Sequence, residues 1–227
     1  MKVFVALPPG DTRPLPGDVR VAPRPAVLDR EAATDPQAIA RFISQCEDSP
    51  WIACGSPAAI RATVEAGGWP WLQGLETGGE VGTVVLIREA ARSGRPWAVE
   101  GLGRRGMAAA LAVGAHAVQI DVHTWLLEGS PLHPDHRRRL DRRTARDTVV
   151  VDGARRLGGP VLPGWPTDPT SGLPTSTALG DITPGPPLAV WLPGFLDELQ
   201  ARVDTARRHH ALRSDPFGAG TPIVQGP

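Results

Sequence analysis

The sequence contains few cysteines and no excess of charge of either sign. Its only two cysteines are Cys46 and Cys54. Because no CxxC pair or His/Cys ligand spacing accompanies them, they predict two reduced thiols rather than a disulfide framework or a structural zinc site. The formal net charge is +0, so the overall field does not favour binding of nucleic acid or of an anionic membrane.

Long apolar runs are also missing. The apolar part of the start, from Met1 to Pro9, is too short for a signal peptide, and no run reaches the roughly 18 apolar residues of a membrane helix. At 227 residues the chain is long enough for one sizeable core, or for one domain with an irregular extension. We expect a cytoplasmic protein without a membrane partner.

The chain has 25 prolines and 26 glycines, and the prolines are concentrated in two regions. Six prolines lie between Pro8 and Pro25, and nine lie between Pro160 and Pro193. Proline lacks the backbone N–H that helices and central strands need. We therefore expect a Pro-rich loop after a strand at Lys2 to Leu7, and an irregular wrap or linker before the C-terminal helix.

Between these regions, short apolar runs alternate with Ala-rich segments of helical period, which is typical of β-α units around a parallel sheet. Ser56 and Pro57 have the residue types of a helix N-cap and a first helical residue. The predicted fold class is therefore α/β. The predicted strands are Trp51 to Cys54, Pro70 to Gln73, Pro96 to Val99 and Ala117 to Asp121, and the predicted helices are Pro36 to Glu47, Pro57 to about Gly67, Thr83 to Ser93 and Arg104 to Val113.

The segment after this body is basic. Six arginines lie between Asp135 and Arg146, where they either form the solvated face of a helix or bind a phosphate or an acidic partner. Asp147 to Leu157 predicts a short strand and turn. Leu196 to Arg208 predicts a surface helix with Leu196, Leu199 and Val203 on one face.

Three loops follow predicted strands, at the place where parallel α/β folds bind ligands. They are QGLETGGEVG (Gln73 to Gly82), EGLGRRG (Glu100 to Gly106) and QIDVHTW (Gln119 to Trp125). Backbone amides at the start of the next helix can hold an anion. Glycine-rich loops of this kind also occur as plain tight turns, so function stays open on this observation alone.

In order and register these loops resemble the 2-nitropropane dioxygenase-like, or nitronate monooxygenase, flavoproteins, whose relatives include FMN-dependent enoyl reductases of fatty-acid and polyketide synthesis. The first loop is similar to the pattern A-Q-G-x-E-A-G-G-H-x-G. Val99 to Leu102 is similar to A-A-G-G-I, and Ala108 to Val122 to A-A-A-L-A-L-G-A-x-G-V-Q-M-G-T. The likeness covers Ser49 to Glu128. It implies the second half of a TIM barrel, a partial TIM-barrel-like parallel sheet of about four to five βα units, with FMN as the cofactor.

The resemblance also suggests roles for individual residues. Glu80 occupies the position of the histidine in G-G-H, which is the base in the nitronate-oxidising members, and His123 is its candidate catalytic partner. The candidates for the cofactor-binding rim are Gly78, Gly79, Gly101, Gly103 and Gln119. The chain departs from the family where the flavin phosphate rests, because Leu102 replaces the second of two glycines and Asp121-Val122 replace Gly-Thr.

The segment Thr221 to Pro227, TPIVQGP, resembles the family's first barrel strand, P-I-[IV]-Q-[AG]-P-M. This likeness implies the N-terminal region of a multidomain polyketide- or fatty-acid-synthase-like protein. The implied partners are downstream domains of the same polypeptide or a homodimer mate, with an acyl-type small substrate. The expected regions are 1–35 (strand and Pro-rich loop), 36–130 (half-barrel βα core), 131–195 (basic helix and Pro/Gly-rich wrap or linker), 196–213 (surface helix) and 214–227 (start of a following barrel).

Three functional hypotheses follow. The chain is a divergent part of an FMN-dependent oxidoreductase, a noncatalytic barrel-derived docking domain that serves a downstream reductase, or an unrelated α/β domain whose glycine loops are tight turns. A flavin absorption band separates the first two. Consecutive βαβ units between Ser49 and Glu128 test the third.

Overall fold

The computed structural model describes residues 2–5, 15, 20–21, 26–29, 31–46, 51–75, 77–120, 122–132, 134–141, 148–151, 154–157, 173–174 and 184–214. The strands are β1 (Lys2–Val5), β2 (Arg20–Val21), β3 (Trp51–Cys54), β4 (Trp69–Leu72), β5 (Ala98–Val99), β6 (Ala117–Ile120), β7 (Thr148–Val151), β8 (Ala154–Leu157) and β9 (Leu173–Pro174). The helices are α1 (Pro36–Ile43), α2 (Pro57–Glu65), α3 (Thr83–Ala91), α4 (Arg104–Ala112), α5 (Pro134–Leu140) and α6 (Leu188–Ser214).

The first six strands form one parallel sheet in the order β2-β1-β6-β5-β4-β3. From β3 to β6 each strand pairs with the next one along the chain, and a helix connects each pair, as parallel pairing requires. Consecutive βα units are therefore present between Ser49 and Glu128, as predicted.

A single bridge links the two edges of this sheet. Beyond β2, the Ala26 N–H donates to the Trp51 carbonyl at 2.8 Å, and the Ala53 N–H donates to the Ala26 carbonyl at 2.9 Å. The segment that begins with β2 on one edge thus touches β3 on the other. Among the described residues the ladder is not closed along its length, and the predicted α/β, partial TIM-barrel-like sheet is confirmed.

Side chains alternate between two apolar layers because successive residues of a strand point to opposite faces. One face packs Trp71, Ala98 and Ala117 with Phe4 and Trp51. The ring centroids of Phe4 and Trp51 lie 5.8 and 5.7 Å from that of Trp71. The other face packs against the helices through residues such as Ile52, Leu72, Val99 and Val118. Trp71 and Trp97 are both buried in these layers.

The predicted helix starts follow from local capping. The Ser56 hydroxyl accepts a hydrogen bond from the Ala59 N–H at 3.2 Å, and Pro57 is the first residue of α2. Asp35 caps α1 in the same way, accepting from the Gln37 N–H at 2.9 Å. These bonds satisfy donors that a helix start leaves without an intrahelical partner.

Helix α6 starts earlier than predicted and is not simply a surface helix. Leu188, Leu192, Phe195, Leu199 and Val203 form a stripe at helical spacing and are buried in the main core. The start predicted at Leu196 was wrong because Pro193, which lies inside the helix, was read as a helix breaker. An interior proline costs about 3 kcal/mol, whereas each fully buried apolar side chain contributes about 1.5–3 kcal/mol. Three such residues precede Leu196 and outweigh the proline.

The region predicted as basic helix and irregular wrap, 131–195, also contains regular structure. β7 and β8 form an antiparallel pair, with Val149 opposite Arg156, and β9 pairs with β8, so the predicted strand and turn is a hairpin. Helix α5 ends at Leu140. Several predicted features lie outside the described residues: Glu76, Asp121, Arg142 to Arg146, and residues 215–227 of the predicted second-barrel start at 214–227.

Two further findings concern a membrane and a metal ion. Among the described helices, none has both the length and the apolar character that a membrane crossing requires. Within the same residues, no three His, Cys, Asp or Glu side chains are grouped as metal ligands.

Candidate active site at the carboxyl ends of the strands

The loop Gln73 to Gly82 folds back over the carboxyl ends of β3 and β4. Within it, the Leu75 N–H donates to the Val81 carbonyl at 3.0 Å, and the Gly79 N–H donates to the Gly74 carbonyl at 2.9 Å. The Glu80 N–H donates to the carbonyl of Gly55, the residue after β3, also at 2.9 Å. Backbone contacts within the protein therefore hold the shape of this loop.

Close packing explains why glycine stands at two of these positions. A Cβ atom on Gly79 would lie 1.8 Å from the Gln73 carbonyl oxygen, and one on Gly55 would lie 2.9 Å from the Gly79 Cα. Gly78 has a φ of +101°, a conformation that L side chains rarely adopt. The backbone thus needs these glycines whether or not Gly78 and Gly79 also form the cofactor rim.

Glu80, the predicted catalytic carboxylate, lies on the outside of the loop. Its side chain is exposed and, with Ser56, Pro57 and Arg61, lines an open groove of about 680 Å³ at the start of α2. A carboxylate near a helix N-terminus is favourably oriented toward the helix dipole. A negatively charged side chain at this position is therefore also favourable for the start of α2.

His123, the predicted partner of Glu80, lies in different surroundings. It is 2% exposed, and its ring centroid lies 5.6 Å from that of Phe195 in α6. It follows β6, and β5 separates β6 from β4 in the sheet. Gln119, a predicted rim residue, lies in β6 opposite Phe4 of β1 and is half-buried. The described contacts thus give Glu80 and His123 separate neighbours.

A second carboxylate, which was not among the predicted site residues, lies at the carboxyl end of the sheet. Glu100 directly follows β5, and its Oε2 accepts a hydrogen bond from the Trp71 Nε1–H at 2.6 Å. Its Oε1 accepts from the Gln73 Nε2–H at 3.2 Å, and Thr77 adds a further side-chain hydrogen bond. Burial raises the pKa of the Glu100 carboxyl, although these hydrogen bonds act in the opposite direction. A carboxyl of this kind is suited to acid–base chemistry.

The turn between β5 and α4 suits an anionic cofactor. Gly101 has a φ of +73°, and the N-cap Gly103 supplies no capping side chain to α4. The first residue of α4 is Arg104, a cation at the helix end whose dipole favours an anion. Its guanidinium lies 2.8 Å from the Glu198 carboxylate and 5.3 Å from the centre of the Phe195 ring.

The residue that replaces a family glycine in this turn does not close it. Leu102 is half-buried, packs against the main core, and lies beside Gly106 in the first turn of α4. Its side chain therefore belongs to the layer between helix and sheet. On the β5 side, the described residues fit the phosphate of FMN; the other predicted departure, Asp121, lies outside the described residues.

Comparison with known proteins gives structural matches only. No family model and no curated protein sequence matches the chain. FabK from Thermotoga maritima matches with a TM-score of 0.62 at 25% identity, over 74% of this chain and 66% of FabK. Its M276A mutant matches with a TM-score of 0.62 at 24% identity, over 91% of this chain and 69% of the mutant.

A third structure, nitroalkane oxidase from Streptomyces ansochromogenes, matches with a TM-score of 0.57 at 19% identity, over 81% of this chain and 64% of the oxidase. The chain therefore spans about two thirds of the length of these structures. The matches confirm the resemblance stated from the sequence and assign the chain the fold of these TIM-barrel-type enzymes.

Proposed function

We propose that the chain is a divergent part of an FMN-dependent oxidoreductase of the enoyl reductase type. The observation that carries this proposal is the likeness to FabK, an enoyl-ACP reductase. The glycine turn before α4 supports it, because it presents a helix start and Arg104 where the resemblance predicts the flavin phosphate. Nitronate oxidation, for which nitroalkane oxidase is the structural match, is the related alternative.

In this proposal, FMN supplies hydride chemistry when it is bound. Gly101 and Gly103 would hold its phosphate at the start of α4, and Arg104, whose guanidinium is also paired with Glu198, would add positive charge beside it. Trp71 and its aromatic neighbours pack on one face of the sheet, nearer to the amino ends of the strands, and exclude water from that face. Gln73 and Glu100 are hydrogen-bonded to each other beyond this aromatic layer, at the carboxyl ends of the strands. Their polar groups would face an acyl-type substrate.

Flavin binding is the first test. Purified chain is titrated with FMN and with riboflavin, and the flavin absorption band and fluorescence are recorded. We expect FMN to bind more tightly than riboflavin because only FMN carries the phosphate. Arg104→Gln should weaken FMN binding about tenfold, since a hydrogen bond to a charged group contributes about 1.5–3 kcal/mol, and should leave riboflavin binding unchanged.

The matched control is Arg105→Gln, which removes the next, exposed arginine of the same helix. Flavin-loaded protein is then tested for reduction of an α,β-unsaturated thioester. A chain that binds neither flavin contradicts the proposed function.

A noncatalytic barrel-derived domain is the second candidate. It is favoured by the loop Gln73 to Gly82, in which the amides of Leu75, Gly79 and Glu80 already donate to protein carbonyls. A folded chain without flavin affinity would support this candidate. We further propose that the chain works beside downstream reductase domains of the same polypeptide, or with a homodimer mate, a proposal supported by the likeness of Thr221 to Pro227 to a barrel strand. Flavin content measured on this chain and on a longer polypeptide tests it.

A further inference from the structure

On one face of the parallel sheet, apolar side chains form one layer, and polar side chains form the next layer toward the carboxyl ends of the strands. Trp71, Ala98 and Ala117 pack together on this face. Gln73, Glu100 and Gln119 each stand two residues further along the chain, and residues two apart in a strand share a face. The hydrogen bond between Gln73 and Glu100 shows that two of them meet above the apolar layer.

Within the polar layer, the described partners of the Glu100 carboxyl are neutral donors: the Trp71 indole, the Gln73 amide and Thr77. These neighbours of the half-buried carboxyl, within the part of the chain that the structure describes, include no adjacent cation that would hold it ionised. The described ionisable side chains on the elements around it are Glu80, Arg104, Arg105 and His123, of which Arg104 is paired with Glu198.

The position of Glu100 also differs from those of the two residues predicted from the sequence. Glu80 is exposed on the outside of its loop, and His123 packs against Phe195 of α6. Of the three residues, Glu100 is the one that continues the row of side chains on the face of β5 that carries Ala98. It also contacts this face directly, through its hydrogen bond with Trp71.

We propose that Glu100 is the proton donor of this site. Its carboxyl O–H gives a proton to the carbon next to the thioester carbonyl of an enoyl substrate, and the β-carbon receives a hydride. The carbon–carbon double bond becomes a single bond, the Glu100 O–H bond breaks, and the carboxylate regains its proton from solvent. The inference rests on the proposed function, in which reduced FMN is the hydride source.

The test compares Glu100→Gln with wild type. Glutamine keeps the size of the side chain and an oxygen that accepts from Trp71, but it carries no acidic proton. Flavin-loaded protein is reduced with dithionite, mixed with a 2-enoyl thioester, and followed by flavin reoxidation in stopped flow. We expect Glu100→Gln to slow this step about 10²- to 10⁴-fold, the usual contribution of a positioned acid, with flavin content unchanged.

Two further variants separate proton donation from a structural role. Glu100→Asp retains an acid and should recover part of the rate. Glu65→Gln removes an exposed carboxylate at the end of α2, outside the predicted site, and should leave the rate unchanged. In wild type the rate should fall as the pH rises through the pKa of Glu100, since only the protonated carboxyl donates, and this fall should be lost in Glu100→Gln.

The possible outcomes distinguish a failure of the proposed role of Glu100 from a failure of the proposed function. Flavin-loaded Glu100→Gln that reduces the thioester at the wild-type rate overturns the role of Glu100 but not the proposed function. Protein without flavin affinity overturns the proposed function and the reaction together. A third readout needs no flavin: the ¹⁵N–¹H signal of the Trp71 indole should titrate with pH in wild type and not in Glu100→Gln. A signal that stays constant means that the Glu100 carboxyl does not change its protonation state over the pH range measured, which contradicts a group that gives and regains a proton there.

Discussion

Replacing Gly79 by alanine should disrupt the loop Gln73 to Gly82. The new Cβ atom would lie 1.8 Å from the Gln73 carbonyl oxygen, whereas ordinary contacts begin at 3.4 Å, so the two groups must separate by 1.6 Å (3.4 − 1.8). Both are backbone groups and cannot give way by a rotamer change. The Gln73 N–H is bonded to the Cys54 carbonyl at 3.1 Å, and the Gly79 N–H to the Gly74 carbonyl at 2.9 Å.

The expected loss of stability follows from these contacts. Overpacking costs about 1–3 kcal/mol, and loss of the hydrogen bonds donated by Gly79 and Glu80 costs about 0.5–1.5 kcal/mol each. Gly79→Ala should therefore lower the free energy of unfolding by about 2–6 kcal/mol. Urea denaturation followed by circular dichroism measures this change.

Gly82→Ala in the same loop is the matched control for this prediction. A Cβ at Gly82 meets nothing within 4 Å, and its φ of −61° suits alanine. The expected loss there is about 1 kcal/mol, because alanine is a poorer N-cap than glycine. A Gly79→Ala variant as stable as Gly82→Ala would refute the packing of the loop onto Gln73.

Two further predictions concern α6 and the cysteines. Leu192→Ala should destabilise the protein by about 3–5 kcal/mol, the cost of a core cavity, because Leu192 is 0% exposed; Val190→Ala in the same helix, at a site 66% exposed, should be near neutral, and equal midpoints in urea would contradict the docking of α6. Burial raises the pKa of the Cys54 thiol to about 11, so a thiol reagent at mildly alkaline pH should label Cys46 alone in folded protein and both cysteines after unfolding. Equal labelling of both thiols in folded protein would contradict the burial of β3.

The βα body was predictable because its signals are local. Ser56-Pro57 marks a helix start by residue type alone, and an apolar run such as Trp51 to Cys54 needs no distant partner to be recognised as a strand. The structure places these elements where the sequence predicts them, within about two residues, except that α1 ends at Ile43, four residues before its predicted end at Glu47. The start of α6 was missed because it depends on tertiary packing. Only the core beneath Leu188 and Leu192 compensates for Pro193.

The Glu80 prediction assigns chemistry by position in a motif, and it stays a prediction. The loop resembles the family pattern in its glycines, and Gly79 is needed for its contact with the Gln73 carbonyl. That requirement concerns the backbone and is independent of which side chain stands at position 80, where the carboxylate is exposed. A loop can therefore keep its shape after its catalytic residue has changed.

Glu100 was overlooked for a related physical reason. In sequence it stands beside two glycines and reads as part of a turn, whereas the two-residue strand period groups it with Ala98 and, across the sheet, with Trp71. Its surroundings arise only when β4 and β5 pair, which brings the Trp71 indole to 2.6 Å from its carboxyl. Continuing the strand period by two residues from Trp71, Ala98 and Ala117 would have named Gln73, Glu100 and Gln119 together. In a parallel barrel that step is where side chains leave the packed interior and reach the ligand, so acid–base residues are better sought there than in the glycine motif that precedes the next helix.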